Sequence, residues 1–351
     1  MRKLWLALIV LFVCVEAEAQ INRKSIKKNN KRIGSYRGAT NTFGRTKAYS
    51  AVGFSVNALN YYGDLAPTPN RISTDISFTR PGFGLSFMHR FGPRYTVQGQ
   101  FMFGTLKGSD AESADKDDLS NGVFRYKRNL SFRNQIKELS VVFVFDLFKN
   151  DGNYIARVKW TPYVFVGVAG FLNNPQAQAP ATDLHGAPLA EAGTWVNLRK
   201  LGTEGQHSDK LQEGDANYGI KPYSAFQAAI PFGVGARLRL TETIDLWADI
   251  GFRYTFTDYI DDVSRNYVDL GALQSPLAQA MSYRTGELKL PSSTNTYHSE
   301  RDGQDYTVEP GYGQEDSHNN RGSKNDKDVY MVTSIRLTYI VGATYHRAKF
   351  R

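Results

Sequence analysis

The sequence predicts an all-β chain, an eight-stranded antiparallel up-and-down transmembrane β-barrel with long external loops, and three observations carry that expectation. Eight segments alternate apolar and polar residues over membrane length, the connections between them alternate between short and long, and the first nineteen residues read as an export signal.

Taken in order, Arg2 and Lys3 precede the apolar run Leu4 to Val15, and Ala17-Glu18-Ala19 supplies a small-x-small cleavage site before Gln20. That is the layout of a cleaved secretory signal over residues 1–19. Its core is too short for a transmembrane helix, and no later stretch approaches the roughly 18 to 20 apolar residues such a helix needs. Strands must do the spanning. The one cysteine, Cys14, falls inside the signal, so the mature chain is expected to use no disulfide, thiolate nucleophile or cysteine metal site. Val13 is too bulky for a lipidation signal at Cys14.

Residues 20–47 read as a basic, flexible periplasmic arm. Arg23, Lys24, Lys27, Lys28, Lys31, Arg32, Arg37, Arg45 and Lys47 lie there without an Asp or Glu. The signal's own charges cancel, so the formal charge of +9 belongs to the arm and the rest of the mature chain is neutral. The basicity therefore marks a local contact surface, with Arg23, Lys24, Lys27, Lys28, Lys31 and Arg32 as candidate contacts to an acidic partner. It gives no reason to expect nucleic acid.

Residues 48–351 carry the barrel. The candidate strands span 48–59, 82–91, 94–106, 135–148, 157–171, 226–240 and 244–257, and an eighth follows residue 328. In the seventh, Ile244, Leu246, Ala248, Ile250, Phe252, Tyr254 and Phe256 form one wholly apolar face. In the eighth, Thr333, Ile335, Leu337, Tyr339, Val341, Ala343 and Tyr345 repeat the pattern. Soluble strands typically run about five or six residues, whereas a tilted membrane strand needs about nine to eleven. Outward faces elsewhere include Val52, Phe54 and Val56; Phe83, Leu85 and Phe87; Val97, Phe101 and Phe103; Leu139, Val141 and Phe143; Val164, Val166 and Val168; and Ile230, Phe232, Val234 and Leu238.

Short turns are expected at Phe91-Gly92-Pro93-Arg94, around Asn150-Asp151-Gly152-Asn153, and at Thr241-Glu242-Thr243; the long connections are 60–81, 107–134, 172–225 and 258–328. Outer-membrane barrels keep short turns in the periplasm and long loops outside. Both termini are then expected in the periplasm and the long loops at the cell surface. Phe350, one residue from the end, approximates the terminal aromatic common in such barrels. The mean hydropathy of −0.43 alongside 20 Tyr, 21 Phe and 31 Gly suits a wall with lipid on one side and a polar lumen on the other.

The inward positions are charged. Arg90, Glu138, Asp146, Arg237, Arg239, Asp245, Asp249, Arg253 and Arg336, with Gln98 and Gln100, are expected to face the interior. Eight strands leave room for side chains and little else, so a paired ion network is the expectation and a proton or ion pathway the alternative.

The most chemically suggestive segment is Thr257 to Ser264, where Asp258, Asp261 and Asp262 offer oxygen ligands to a hard cation. It lacks the glycine and terminal glutamate of an EF-hand loop, and aspartates also cap turns. His207, Ser208 and Asp209 form a local cluster, but triads assemble in space. No cofactor and no catalytic set is expected. Tyr61 and Tyr62 read as an aromatic girdle pair at the membrane interface. The loop of 172–225 should fold back on the barrel mouth, whereas 291–328, rich in Ser, Asn, Gly, Asp and Lys, reads as mobile.

Several of these segments, taken in order, resemble the PorG-like outer-membrane β-barrel family of the Bacteroidota type IX secretion system. The matching pieces are Asn60 to Leu65, Arg128 to Arg133 with Glu138-Leu139-Ser140, Pro162 to Phe165 followed by Asn174-Pro175, Leu201 to Gln206, Ile230 to Gly233, and Phe256 to Ser264. The resemblance implies a non-catalytic component of the secretion and gliding-motility apparatus. Its expected partners are the lipid bilayer and a periplasmic ring made of a lipoprotein and its partner. A surface adhesion or ligand-binding barrel and a small-barrel lipid-modifying enzyme, with His207 or His298 as its candidates, are the other readings.

Overall fold

The computed structural model describes residues 43, 47–66, 76–288, 293–324 and 326–342. The export signal, the arm residues Arg23, Lys24, Lys27, Lys28, Lys31 and Arg32, and Ala343, Tyr345 and Phe350 lie outside them.

The barrel strands are β1 Tyr49–Tyr62, β2 Arg80–Arg90, β3 Tyr95–Ser109, β4 Ser131–Asp146, β5 Trp160–Leu172, β6 Phe226–Arg239, β7 Ile244–Thr255 and β8 Val329–Val341. Each pairs antiparallel with its neighbours in sequence, and β8 returns to β1 with Leu337 opposite Phe54, which closes the ring. Closure removes every sheet edge, as hydrocarbon requires, because no water is present there to satisfy an unpaired amide. The β5–β6 ladder keeps one register on both sides of a gap, Val166 opposite Phe232 and Ala169 opposite Ala229. Between them sits Pro231, which has no N–H to donate. Gly167 lies in the same stretch, where a Cβ would stand 2.1 Å from the carbonyl oxygen of Val141.

Side chains alternate along every strand. On β2 the burial pattern is strict, and Leu85 at mid-strand is 63% exposed on the outer wall. Leu139, Val168, Val234, Ile335 and Leu337 continue that wall around the ring. So large a continuous apolar surface is not stable in water. Aromatic pairs edge it at both ends, Phe148 against Trp160 and Phe91 against Tyr95 at one rim, Tyr254 against Phe256 at the other. The protein is a membrane barrel. No helix among the described residues is long and apolar enough to cross a membrane.

Connections segregate by length. The segments 91–94, 147–159 and 240–243 close one end, and the described residues of 63–79, 110–130, 173–225 and 256–328 lie at the other. The 147–159 connection is longer than a tight turn around Asn150 to Asn153, because β5 begins only at Trp160. Arg157, placed by the sequence on a strand, instead folds back over the lumen.

Candidate functional site

The interior divides into layers along the barrel axis. Nearest the short turns, Asp146 bridges Arg90 at 2.6 Å and Arg237 at 2.7 Å, and Arg157 meets Asp245 at 2.6 Å. Arg157 also donates to the carbonyls of Thr241, Glu242 and Tyr154, which ties two turns together. One level up, Asp249 accepts from Tyr163 at 2.9 Å and lies 3.5 Å from Arg336, which donates to Gln98 at 2.7 Å. Above that, Glu138 accepts from Tyr330 at 2.6 Å and lies 3.5 Å from Arg253. Five guanidinium groups thus face four carboxylates, all buried. Charges so placed need partners, and here each has one. Arg239 departs from the expectation: it is half-buried at the turn rim and donates to the carbonyl of Ile155.

Space inside is scarce. A void bounded by Gln98, Gln100, Ser140, Asp249, Arg253 and Arg336 measures about 10 Å³, room for one water at most. Toward the long loops the polar layers end in an apolar seal. Leu59, Met102, Leu106, Phe132, Ile136 and Phe171 from the strands pack there with Leu65, Leu198, Ile260, Val263 and Met281 from the loops.

Beyond the seal the described residues of the four long connections form a folded cap. Arg128 ends the helix Gly122–Arg128, and Asn129 follows with a left-handed φ of 56°, a conformation asparagine tolerates. The Arg128 guanidinium pairs with buried Asp110 at 2.8 Å and donates to the carbonyls of Asp64 and Arg321. Arg321 meets Glu204 at 3.0 Å and donates to the carbonyl of Asp262 at 2.6 Å. Two buried arginines therefore stitch all four loops together.

Asp258, Asp261 and Asp262 sit at this junction, each engaged by different donors. Asp258 accepts from Ser264 at 2.7 Å, Asp261 from Tyr61 at 2.7 Å and from the Val263 amide at 2.9 Å, and Asp262 from Thr203 at 2.5 Å and Tyr223 at 2.6 Å. Asp262 achieves this with a left-handed φ of 70°. Among the described residues no group of three His, Cys, Asp or Glu side chains is arranged to hold a metal ion. Burial raises all three carboxyls, Asp258 to about 7 and Asp262, where Arg321 opposes the rise, to about 6. Asp261 is held well above its ordinary value by burial and by the charge of Asp328, itself raised chiefly by burial.

Two sequence expectations are corrected here. Tyr61 is no girdle residue, because its side chain points inward and is buried, with its hydroxyl on the cap carboxylates, while Tyr62 beside it is only half-buried. Position parity decides this, since Tyr61 continues the inward face of Asn57 and Leu59. The described residues of 291–328 are no open chain either. They form a hairpin, Asn295–His298 with Asp305–Val308, and pack Tyr306, Val308 and Tyr312 into a second apolar core with Tyr267, Leu270 and Tyr283. The expectation for 172–225 agrees with the structure, where Leu198 joins the seal.

The local His207, Ser208 and Asp209 cluster does not form a relay. His207 bonds the carbonyl of Arg199, Ser208 donates to the carbonyl of Ala272, and Asp209 is exposed. His298 pairs with Asp305 at 2.7 Å on the surface. His318 contacts both Ser317 and Asp316 through one ring nitrogen, Nδ1, whereas a proton relay uses both nitrogens. The interior roles of Tyr61, Tyr163, Tyr330, Arg157 and Asp328 are not legible in the sequence pattern used above, though inward parity on β1, β5 and β8 marks the three tyrosines.

A family described as a domain of unknown function, DUF6089, matches residues 41–183. No curated protein matches. Solved structures similar to this chain include the outer membrane protein OprG from Pseudomonas aeruginosa, at 14% identity and a TM-score of 0.36 over 86% of this chain and 100% of that one. A major outer membrane protein from Thermus thermophilus matches at 12% identity and a TM-score of 0.35, covering 83% and 99%. Ail, the attachment invasion locus protein of Yersinia pestis, solved with the heparin analogue sucrose octasulfate, matches at 8% identity and a TM-score of 0.30, covering 84% and 97%.

Proposed function

We propose that this chain is a non-catalytic outer-membrane barrel that anchors a protein-secretion assembly, the type IX secretion and gliding apparatus its sequence resembles. One observation supports this reading most: four of the resembling segments, Asn60 to Leu65, Arg128 to Arg133, Leu201 to Gln206 and Phe256 to Ser264, converge on the single cap junction tied by Arg128 and Arg321. A filled lumen under a sealed mouth suits an anchor better than a conduit. In this reading the short-turn end and the basic arm face the periplasm and meet the ring lipoprotein and its partner. The arm's lysines and arginines would speed encounter with an acidic surface and make it salt-sensitive.

Affinity purification from outer membranes in mild detergent, followed by mass spectrometry, tests the reading. Ring proteins should co-purify with the full chain and be recovered less well after deletion of residues 21–47. Recovery of no periplasmic partner would overturn the scaffold reading, and unchanged recovery at low salt would overturn the arm's part in it.

The folded cap favours a second reading, a surface barrel that binds a ligand through its long loops. Protease shaving of intact cells discriminates the two, because an anchor should retain its periplasmic partners after the cap is cut and a receptor should lose its ligand.

A further inference from the structure

We infer that the outer wall of β3 and β4, just below the cap, holds the anionic phosphate headgroup of a bilayer lipid. A groove of about 400 Å³ opens there, lined by Arg80, Lys107, Glu112, Arg133, Gln178 and Trp195. Lys107 and Arg133 stand opposite each other across the β3–β4 ladder. Two residues further along that ladder from Gln135, exposed Lys137 stands opposite Phe103 on the outward face. Among the described residues the groove and its approach therefore present Arg80, Lys107, Arg133 and Lys137 against one carboxylate, that of Glu112.

Among the described residues only Lys107 of these four is neutralised, by Glu112 at 2.6 Å. Among the described residues no carboxylate lies in ion-pair reach of Arg80, Arg133 or Lys137. The Arg133 guanidinium is fixed in place, stacked 3.6 Å over the Trp195 ring and donating to Gln176. Arg80, Arg133 and Lys137 thus present charge along this wall with no described carboxylate to meet it, a set of groups that fits an anion.

The position selects a lipid over a soluble ion. Directly down the same wall come Phe103, Phe101 and Leu139, all exposed toward hydrocarbon. A phosphate seated among the cations would leave its acyl chains lying along these residues. Trp195, 41% exposed, supplies the amphipathic ring found at the headgroup level of membrane proteins. Basic pockets at that depth recognise lipid headgroups by charge, each cation contributing roughly a five-fold gain in affinity near the surface.

Native mass spectrometry of the folded, detergent-solubilised chain tests this, with phosphatidic acid and phosphatidylcholine of equal acyl length as probes. Phosphatidic acid should be retained preferentially. The combined variant Arg80→Gln, Arg133→Gln, Lys137→Gln should lose that preference by roughly a hundred-fold, whereas Lys149→Gln, at the opposite rim, should keep it. Should the combined variant fail to show the heat-dependent gel shift of a folded barrel, Lys137→Gln alone, exposed on the wall, should still weaken retention several-fold. Equal retention of both lipids, or undiminished retention in the folded variants, would overturn the inference. Displacement by an equal concentration of inorganic phosphate would overturn the lipid and leave a soluble-anion site.

Discussion

The hydroxyl of Tyr61 on β1 lies 2.7 Å from Asp261 in the cap, two hundred residues away, and the same hydroxyl is 2.7 Å from Asp328 at the foot of β8. A phenol has one hydrogen, so a linear bond to both carboxylates at once requires one acid to bring a proton of its own and donate it to the phenolic oxygen, the direction in which burial moves Asp261 and Asp328.

Cap docking should weaken as pH rises. An aspartate held above its ordinary value binds a proton in the folded state that the unfolded chain, with a value near about 4, has released. Its stabilising effect is full below that value and is lost as pH climbs through the folded one, about 7 for Asp258 and about 6 for Asp262. Limited proteolysis at matched protease activity should cut the loops faster at about pH 8 than at about pH 5. Asp261→Asn, which removes one titrating group from the cluster, should flatten the dependence. A pH-independent cutting rate in the unmodified chain would contradict the raised cap carboxyls.

Asp146→Ala should destabilise the barrel by about 3 to 5 kcal/mol, because Arg90 and Arg237 would keep their charge in the interior without a counter-ion. Denaturant unfolding in detergent measures it. Asp151→Ala, whose partner Lys149 is exposed, should change stability by less than about 1 kcal/mol.

Leu85→Arg should cost about 2 to 4 kcal/mol of folding stability in bilayers, the range for a cation on the lipid face at mid-depth. The same substitution in a soluble protein's exposed position would cost little. Equal folding of the variant and the parent in lipid vesicles would argue against a hydrocarbon-facing β2.

Reconstituted into a planar bilayer, the chain should show no stepwise conductance, since the lumen void bounded by Gln98, Gln100 and Arg336 admits one water at most. Discrete ion-current steps from the unmodified chain would return the ion network to the role of a pathway.

The sequence by itself determined which residues face lipid. Period-two alternation assigns Val52, Leu85, Phe101, Leu139 and Leu337 to the outer wall wherever a strand runs straight, because a pleated backbone leaves no other choice. Connection lengths likewise showed which strand ends belong together. Only the tertiary structure decided what those side chains and loops meet: that Arg157 leaves its strand to pair with Asp245, that Tyr61 reaches the cap, and that Arg128 and Arg321 bind four loops into one body. The reason is physical. Alternation is a local property of backbone geometry, whereas an ion pair or a shared proton depends on distances between residues far apart in sequence, which closure of the ring alone sets.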